Sequence, residues 1–322
     1  MMTYQEYVKF FAGFLIDDCA VRSRTAFSFV AVEHISDSDL GNKRLINYFI
    51  DKPAGKNLGA SKYTGFAGVR LAVSSKPKGQ AIIVSRNCAV GVLGAGEDAR
   101  EEPIPYGRPD SPLYTTMHAL ATIDGLVYAV GGWRAVCRRV GKDQWESIVD
   151  RTSLPVPERN EFGSNDDGFH AIDGFAANDI YCGGGHSDLW RYDGKRWHRC
   201  NLPTNMVLHN ICCGGDGYVY LGMQNGSVLR GRENSWSQIH KGELSIPFKD
   251  MVWYDNKIWC TSDYGTWLID NGKFLQDDLP PEIKSCSGNL AVGDGVLLLA
   301  GRYGATMYDG QSWTSLIPSP DE

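Results

Sequence analysis

The chain has 322 residues, of which 43% are hydrophobic and 22% charged. That much apolar side chain excludes global disorder, and so few charges exclude a long coiled coil. Thirty-two Lys and Arg against 38 Asp and Glu give a formal charge of −6, which argues against a dedicated nucleic-acid binder and leaves a basic protein partner open. The 37 Gly, nine Trp and fifteen Tyr suit many short strands and tight turns better than helices. In chain order, the first feature is a short apolar run, Phe10–Ile16, followed at once by Asp17 and Asp18. It is too short for a signal-peptide core and lacks a small-residue cleavage pattern. No segment has the length of a membrane span, so a cytosolic chain with no membrane partner is expected. Two strand-like runs follow, Ala26–Val32 and Leu45–Ile50, and mark residues 1–60 as a divergent repeat unit or an N-terminal extension.

Residues 62–112 read as a degenerate unit with strands at Phe66–Val73, Gln80–Val84 and Cys88–Leu93. From 113 to 317 the repetition is plain. Trp145, Trp197, Trp236, Phe274 and Trp313 are spaced by 52, 39, 38 and 39 residues. Apolar runs recur in step upstream of each, from Leu126–Val130 to Val296–Ala300. A first turn precedes each run (Asp124-Gly125, Asn178-Asp179, Asp216-Gly217, Asp255-Asn256, Asp294-Gly295), and a third turn precedes each aromatic. Second turns follow the runs at Trp133-Arg134, His186-Ser187, Asn225-Gly226, Tyr264-Gly265 and Tyr303-Gly304. Three tight turns per unit imply four short antiparallel strands. A tandem four-stranded unit of this length predicts an all-β fold, a single β-propeller. Seven blades are expected, with six plus an N-terminal extension as the alternative. The last unit supplies all four of its own strands, so ring closure need not borrow one from the N-terminus.

Asp179–Gly185 followed by Leu189–Trp197, and the double glycine in Val127–Gly132, resemble the kelch and BNR-like propeller repeats of bacterial proteins. The resemblance covers 113–317. Only two of the five clear units carry the double glycine; the others have Gly222-Met223, Thr261-Ser262 and Gly301-Arg302. A stand-alone propeller of this kind also resembles the immunity proteins of bacterial polymorphic toxin systems. That likeness implies a cytoplasmic, non-catalytic binder that covers a toxin domain.

Two sets of ring positions are candidates for binding. His118, His170 and His209 each lie 27 residues before their unit's Trp, and Lys249 or Asp250 takes that place next. They are expected at the channel mouth as packing residues that tie each blade to a neighbouring loop. Equivalent positions of adjacent blades are expected to lie too far apart for direct shared coordination, so no metal is assigned. The second set is a top face formed by second turns and by the long connections between blades. Its partner-binding candidates are Arg86, Trp133 and Arg134, then His186 and Asp188, then Tyr264, Arg302 and Tyr303. An acidic insertion adds Glu158, Glu161, Asp166 and Asp167. Aromatic and Arg anchors ringed by charge suit a protein interface.

Catalytic alternatives find little support. Gly183–Gly185 precedes a strand rather than a helix, which argues against a phosphate loop, and no GxSxG occurs. Thr261–Trp267 looks like a shortened sialidase Asp-box, a structural hairpin. Acid pairs such as Glu101-Glu102, Asp166-Asp167 and Asp277-Asp278 are expected in solvated loops, and Arg138-Arg139 is local and offset by the overall negative charge. Nine Cys with no CxxC are expected as free buried thiols. The function expected is therefore protein binding through the top face, with a toxin domain as the specific partner and no cofactor. The alternative is a carbohydrate-acting or small-ligand-binding propeller using the channel mouth.

Overall fold

A computed structural model describes residues 2–34, 41–108, 110–157, 168–242, 246–270, 273–276 and 279–318. Its 28 strands form seven four-stranded sheets, each built from four consecutive strands hydrogen-bonded in sequence order. All pairings are antiparallel, as the turn spacing requires. The first strand of every blade packs beside the first strands of both neighbours, so these seven strands line the axis and the ring closes. They are Phe14–Ser23, Arg70–Ser74, Met117–Ile123, Ala171–Ala176, Leu208–Cys213, Asp250–Tyr254 and Gly288–Gly293. Phe14–Ser23, Ala26–Glu33, Lys43–Phe49 and Leu58–Tyr63 make up a blade of their own, so the ring has seven blades rather than six. Blade 7 keeps all four of its own strands, with no exchange across the seam.

The repeated aromatics lie in the outermost strands of blades 3 to 7: Gln144–Ser147, Trp197–Cys200, Ser235–His240, Lys273–Gln276 and Trp313–Ile317. Each ring packs into the apolar cluster shared with the preceding blade. This explains the spacing: one large ring per unit fills the widening gap between splayed sheets.

Inner-strand side chains stitch the blades together around the axis. The Asp18 carboxylate accepts the Leu71 N–H at 2.7 Å, Asp173 accepts Cys213 N–H at 2.7 Å, and Asp250 accepts Leu290 N–H at 3.0 Å. Thr122 Oγ1 donates to the Val73 carbonyl at 2.7 Å, and Asn210 Nδ2 to the Lys249 carbonyl at 3.0 Å. The seam between blades 7 and 1 is closed differently. A short N-terminal helix, Tyr4–Phe10, starts in a capping box between Thr3 and Glu6. With its flanks it places Met2, Tyr7 and Phe11 in one apolar cluster with Phe29, Leu298, Met307 and Leu316.

The double glycine has a steric cause. A Cβ on Gly131 would run into the Thr116 carbonyl, and one on Gly184 into the Gly168 carbonyl, because the connection entering the inner strand crosses there. Several expectations need correction. The first turn of blade 4 is Ala177-Asn178, and Asp179 already begins the next strand. The inner strand of blade 2 starts at Arg70 rather than Phe66. Glu101 is not solvated: it forms a buried pair with Arg139 between blades 2 and 3, at 2.5 and 3.0 Å, with side chains 1% and 2% exposed. None of the nine cysteines is in a disulfide, and eight are buried. No helix among the described residues is long and apolar enough to cross a membrane.

Candidate functional site

The inner strands enclose a central cavity of about 1720 Å³. Because first strands run away from the connections that lead into them, those connections share one face with the second turns. The cavity gathers side chains from both. All four expected channel residues line it, and so do Arg86, Arg134, His186, Asp188 and Tyr264. Trp133, Arg302 and Tyr303 lie in second turns of the same face but outside the cavity wall. Glu158, Glu161, Asp166 and Asp167 lie outside the described residues.

The histidines are closer than the repeat geometry suggested. The His118 and His170 rings, from adjacent blades, stack with centroids 4.6 Å apart and planes 13° from parallel. The expected separation fails because the chain bulges at His118, where Met117 and Ala119 pair with successive residues of the next strand. His118 Nδ1 lies 3.0 Å from the Phe169 carbonyl, which can only accept, so that nitrogen carries the proton. Nε2 sits 3.1 Å from Thr116 Oγ1. His118 thus ties blade 3 to the segment entering blade 4. Burial, and then the nearby His170, hold the His209 imidazole below its usual pKa. At the next position Lys249 N–H donates to Thr261 O at 2.8 Å, matching His170 N–H on Gly183 O at 2.8 Å. Lys249, rather than Asp250, therefore takes the histidine's place in blade 6. Among the described residues no group of three or more His, Cys, Asp or Glu is arranged to hold a metal ion.

Carboxylates in the wall are unusual. Burial raises the Asp18 carboxyl to about 7, and the nearby Asp250 charge pushes it the same way. Burial raises Asp250 too. Asp18 and Arg70 are wall residues that sequence reasoning did not single out for the site. Asp18 carried a usable signal: a charge inside a strand that is otherwise apolar on its core side.

Top-face candidates divide into two kinds. In the turn of blade 3, Trp133 and Arg134 both adopt left-handed φ, 63° and 53°. The Trp133 ring lies against Tyr114 at 4.5 Å. Arg134 grips Asp188 of blade 4 through two bonds, at 2.7 and 2.9 Å, and donates to the Pro155 carbonyl at 2.8 Å. Its guanidinium also lies over Trp190, whose Nε1 donates to the same Asp188 at 2.9 Å. His186 reaches the Asn205 carbonyl at 3.2 Å. Arg86 is exposed at the rim. In blades 6 and 7, Tyr264 is 83% and Tyr303 54% exposed. Asp263 lies 3.8 Å from Lys249 Nζ and 3.7 Å from Arg302 Nη2.

These features define a seven-bladed β-propeller with a closed ring, a polar central cavity and one aromatic, charged face. Solved propellers share the fold. They include YCF48 from Cyanidioschyzon merolae (TM-score 0.61, 12% identity, 92% of this chain and 95% of that one) and the WD40 repeats of RRP9 (TM-score 0.61, 14%, 95% and 94%). The WD40 propeller domain of Doa1 matches with a TM-score of 0.56 at 11% identity, over 90% of each chain. No family model matches the chain. A relative does. The chain is 32% identical over 248 residues to the immune protein Tsi7 of Pseudomonas aeruginosa, covering 77% of this chain and 79% of that protein. The chain belongs to the family of immune protein Tsi7.

Proposed function

We propose that the chain is a cytoplasmic immunity protein that neutralises a toxin by covering it with the top face of the propeller, without catalysis. Membership in the Tsi7 family carries the reading. Several observations support the binding mode. Exposed large apolar groups from connections and second turns (Tyr106, Val156, Ile246, Tyr264, Tyr303) gather on this face. On the opposite face, the first turns of blades 3, 6 and 7 are Asp, Asn and Gly pairs with tight left-handed geometry, such as Asp255-Asn256 at 50° and 58°, and Tyr218 is an exposed ring there. The cavity carboxylates Asp18 and Asp250 each have an oxygen committed to a backbone N–H, as structural groups do.

The test is co-expression with candidate toxin domains cloned from the genes that flank this one. The expected result is restored growth and a complex stable on size-exclusion chromatography. Unchanged toxicity with no complex overturns the reading.

A further inference from the structure

Tyr264 and Tyr303 occupy the same place in neighbouring blades. The cross-strand pairs Ser262 with Gly265, and Gly301 with Gly304, enclose the two-residue turns Asp263-Tyr264 and Arg302-Tyr303. Neither tyrosine has a left-handed φ, so the turn does not dictate the residue type. Packing does not dictate it either. Among the described residues neither ring has an aromatic partner, and neither hydroxyl has a hydrogen-bond partner. The two turns are joined through Asp263, which lies within 3.8 Å of Lys249 and 3.7 Å of Arg302. Two cations share this carboxylate; Lys249 also faces Asp250, whereas Arg302, with its side chain 59% exposed, has Asp263 alone beside it among the described residues. Ile246, 37% exposed, adds an apolar edge. On the opposite rim, the described turn of blade 3 is engaged internally. There Trp133 rests on Tyr114, and Arg134 and Asp188, with side chains 12% and 18% exposed, are satisfied by each other.

We infer that the hot spot of the top face is the rim of blades 6 and 7, where Tyr264, Tyr303 and Ile246 receive an apolar side chain of the toxin flanked by a carboxylate that Lys249 and Arg302 bind. Tyrosine suits this role because it offers a large, rigid, amphipathic surface with little rotamer entropy to lose. The exposed Arg302 guanidinium on a chain of charge −6 selects locally for an acidic element, whatever the sign of the partner as a whole. The assignment rests on the immunity reading above and narrows it to one sector.

The experiment is calorimetric titration, with stopped-flow association rates, against an inactivated form of the flanking-gene toxin domain that the co-expression test identifies. Tyr264→Ala and Tyr303→Ala should each weaken binding at least ~10-fold. Arg302→Glu should slow association and flatten its salt dependence. Trp133→Ala should stay within about twofold of the parent affinity, since its ring is engaged with Tyr114. Both tyrosines are exposed, so their variants should melt with the parent. A Tyr264→Ala/Tyr303→Ala double variant that binds like the parent overturns the inference and leaves the immunity reading standing. A parent chain that fails to bind the toxin at all overturns the immunity reading, and this assignment with it.

Discussion

At the scale of single residues, the side chains around the axis serve the ring before they serve any ligand. Asp18, Asp173 and Asp250 recur in inner strands because a short carboxylate there can reach the next blade's free N–H. The cost is a buried charge. Burial, aided by Asp250, raises the Asp18 carboxyl to about 7, and burial raises Asp173 to about 6. A folded-state pKa above the unfolded value means the native state holds the proton more tightly. Stability from these groups is therefore full below the unfolded carboxyl pKa and is lost as pH rises toward 6 to 7. Each group contributes a slope of at most ~1.4 kcal/mol per pH unit. Asp18 fronts the open cavity, where solvent screens part of that cost, so the direction carries the prediction. Asp18→Asn keeps an oxygen for the Leu71 N–H and removes the charge. Urea unfolding at pH 5 and pH 8 should show the parent losing stability over that interval and the variant losing less. Equal losses would show that Asp18 is already ionised in the fold at pH 5.

Among the elements, the outermost strands decide how much was legible in the sequence. Blades 3 to 7 declared themselves because each outer strand carries one ring that plugs the gap to its neighbour. Blade 1 has Leu58–Tyr63 in that place, with Leu58 and Ala60 against the core and no ring at the repeat position, so only its two middle strands were visible. The outer strand of blade 2, Glu97–Glu101, is mostly charged and showed no strand pattern at all. Besides its ladder with Val90–Gly94, it is tied to blade 3 by the Glu101–Arg139 pair, a long-range contact that sequence spacing does not encode. The candidate site was legible to the same degree: turn positions put its residues on one face, while the Arg134–Asp188 clamp and the stacked His118 and His170 arise from long-range contacts that spacing does not encode. The buried pair yields a test. Arg139→Ala leaves a carboxylate sealed without its cation and should cost about 3–5 kcal/mol. Arg139→Met with Glu101→Leu removes both charges and should recover most of that loss. Chemical denaturation measures both, and equal destabilisation of single and double variants would show that packing, not charge, dominates there.

For the whole molecule, the critical place is the seam. A ring whose first and last blades each keep four strands gains no strand shared between its two ends. Elsewhere around the axis, hydrogen bonds from Asp18, Thr122, His118, Asp173, Asn210 and Asp250 span successive interfaces. At the seam the close backbone approach is at Gly293, where a Cβ would lie 3.1 Å from the Val21 side chain. The main polar link is Arg24 N–H donating to Asp294 at 2.8 Å, in the first turns of the two blades. Apolar burial supplies the rest, and the N-terminal helix is part of it. Phe11 is 2% exposed and meets Phe29 edge-on at 6.1 Å, while Glu6 anchors the helix by accepting Gly55 N–H at 2.8 Å. Phe11 thus does for blade 1 what Trp145 or Trp197 does for its own blade, but from outside the sheet. Phe11→Ala should cost about 3–5 kcal/mol, the usual loss for emptying a buried phenylalanine site. Hydrogen exchange can tell a seam from a generic core position. If the helix is a clasp, amides of blades 1 and 7 should exchange faster in this variant while blades 3 to 5 keep their protection. Uniform acceleration across all seven blades would mean that the ring unfolds as one unit and that the helix is simply another part of its core.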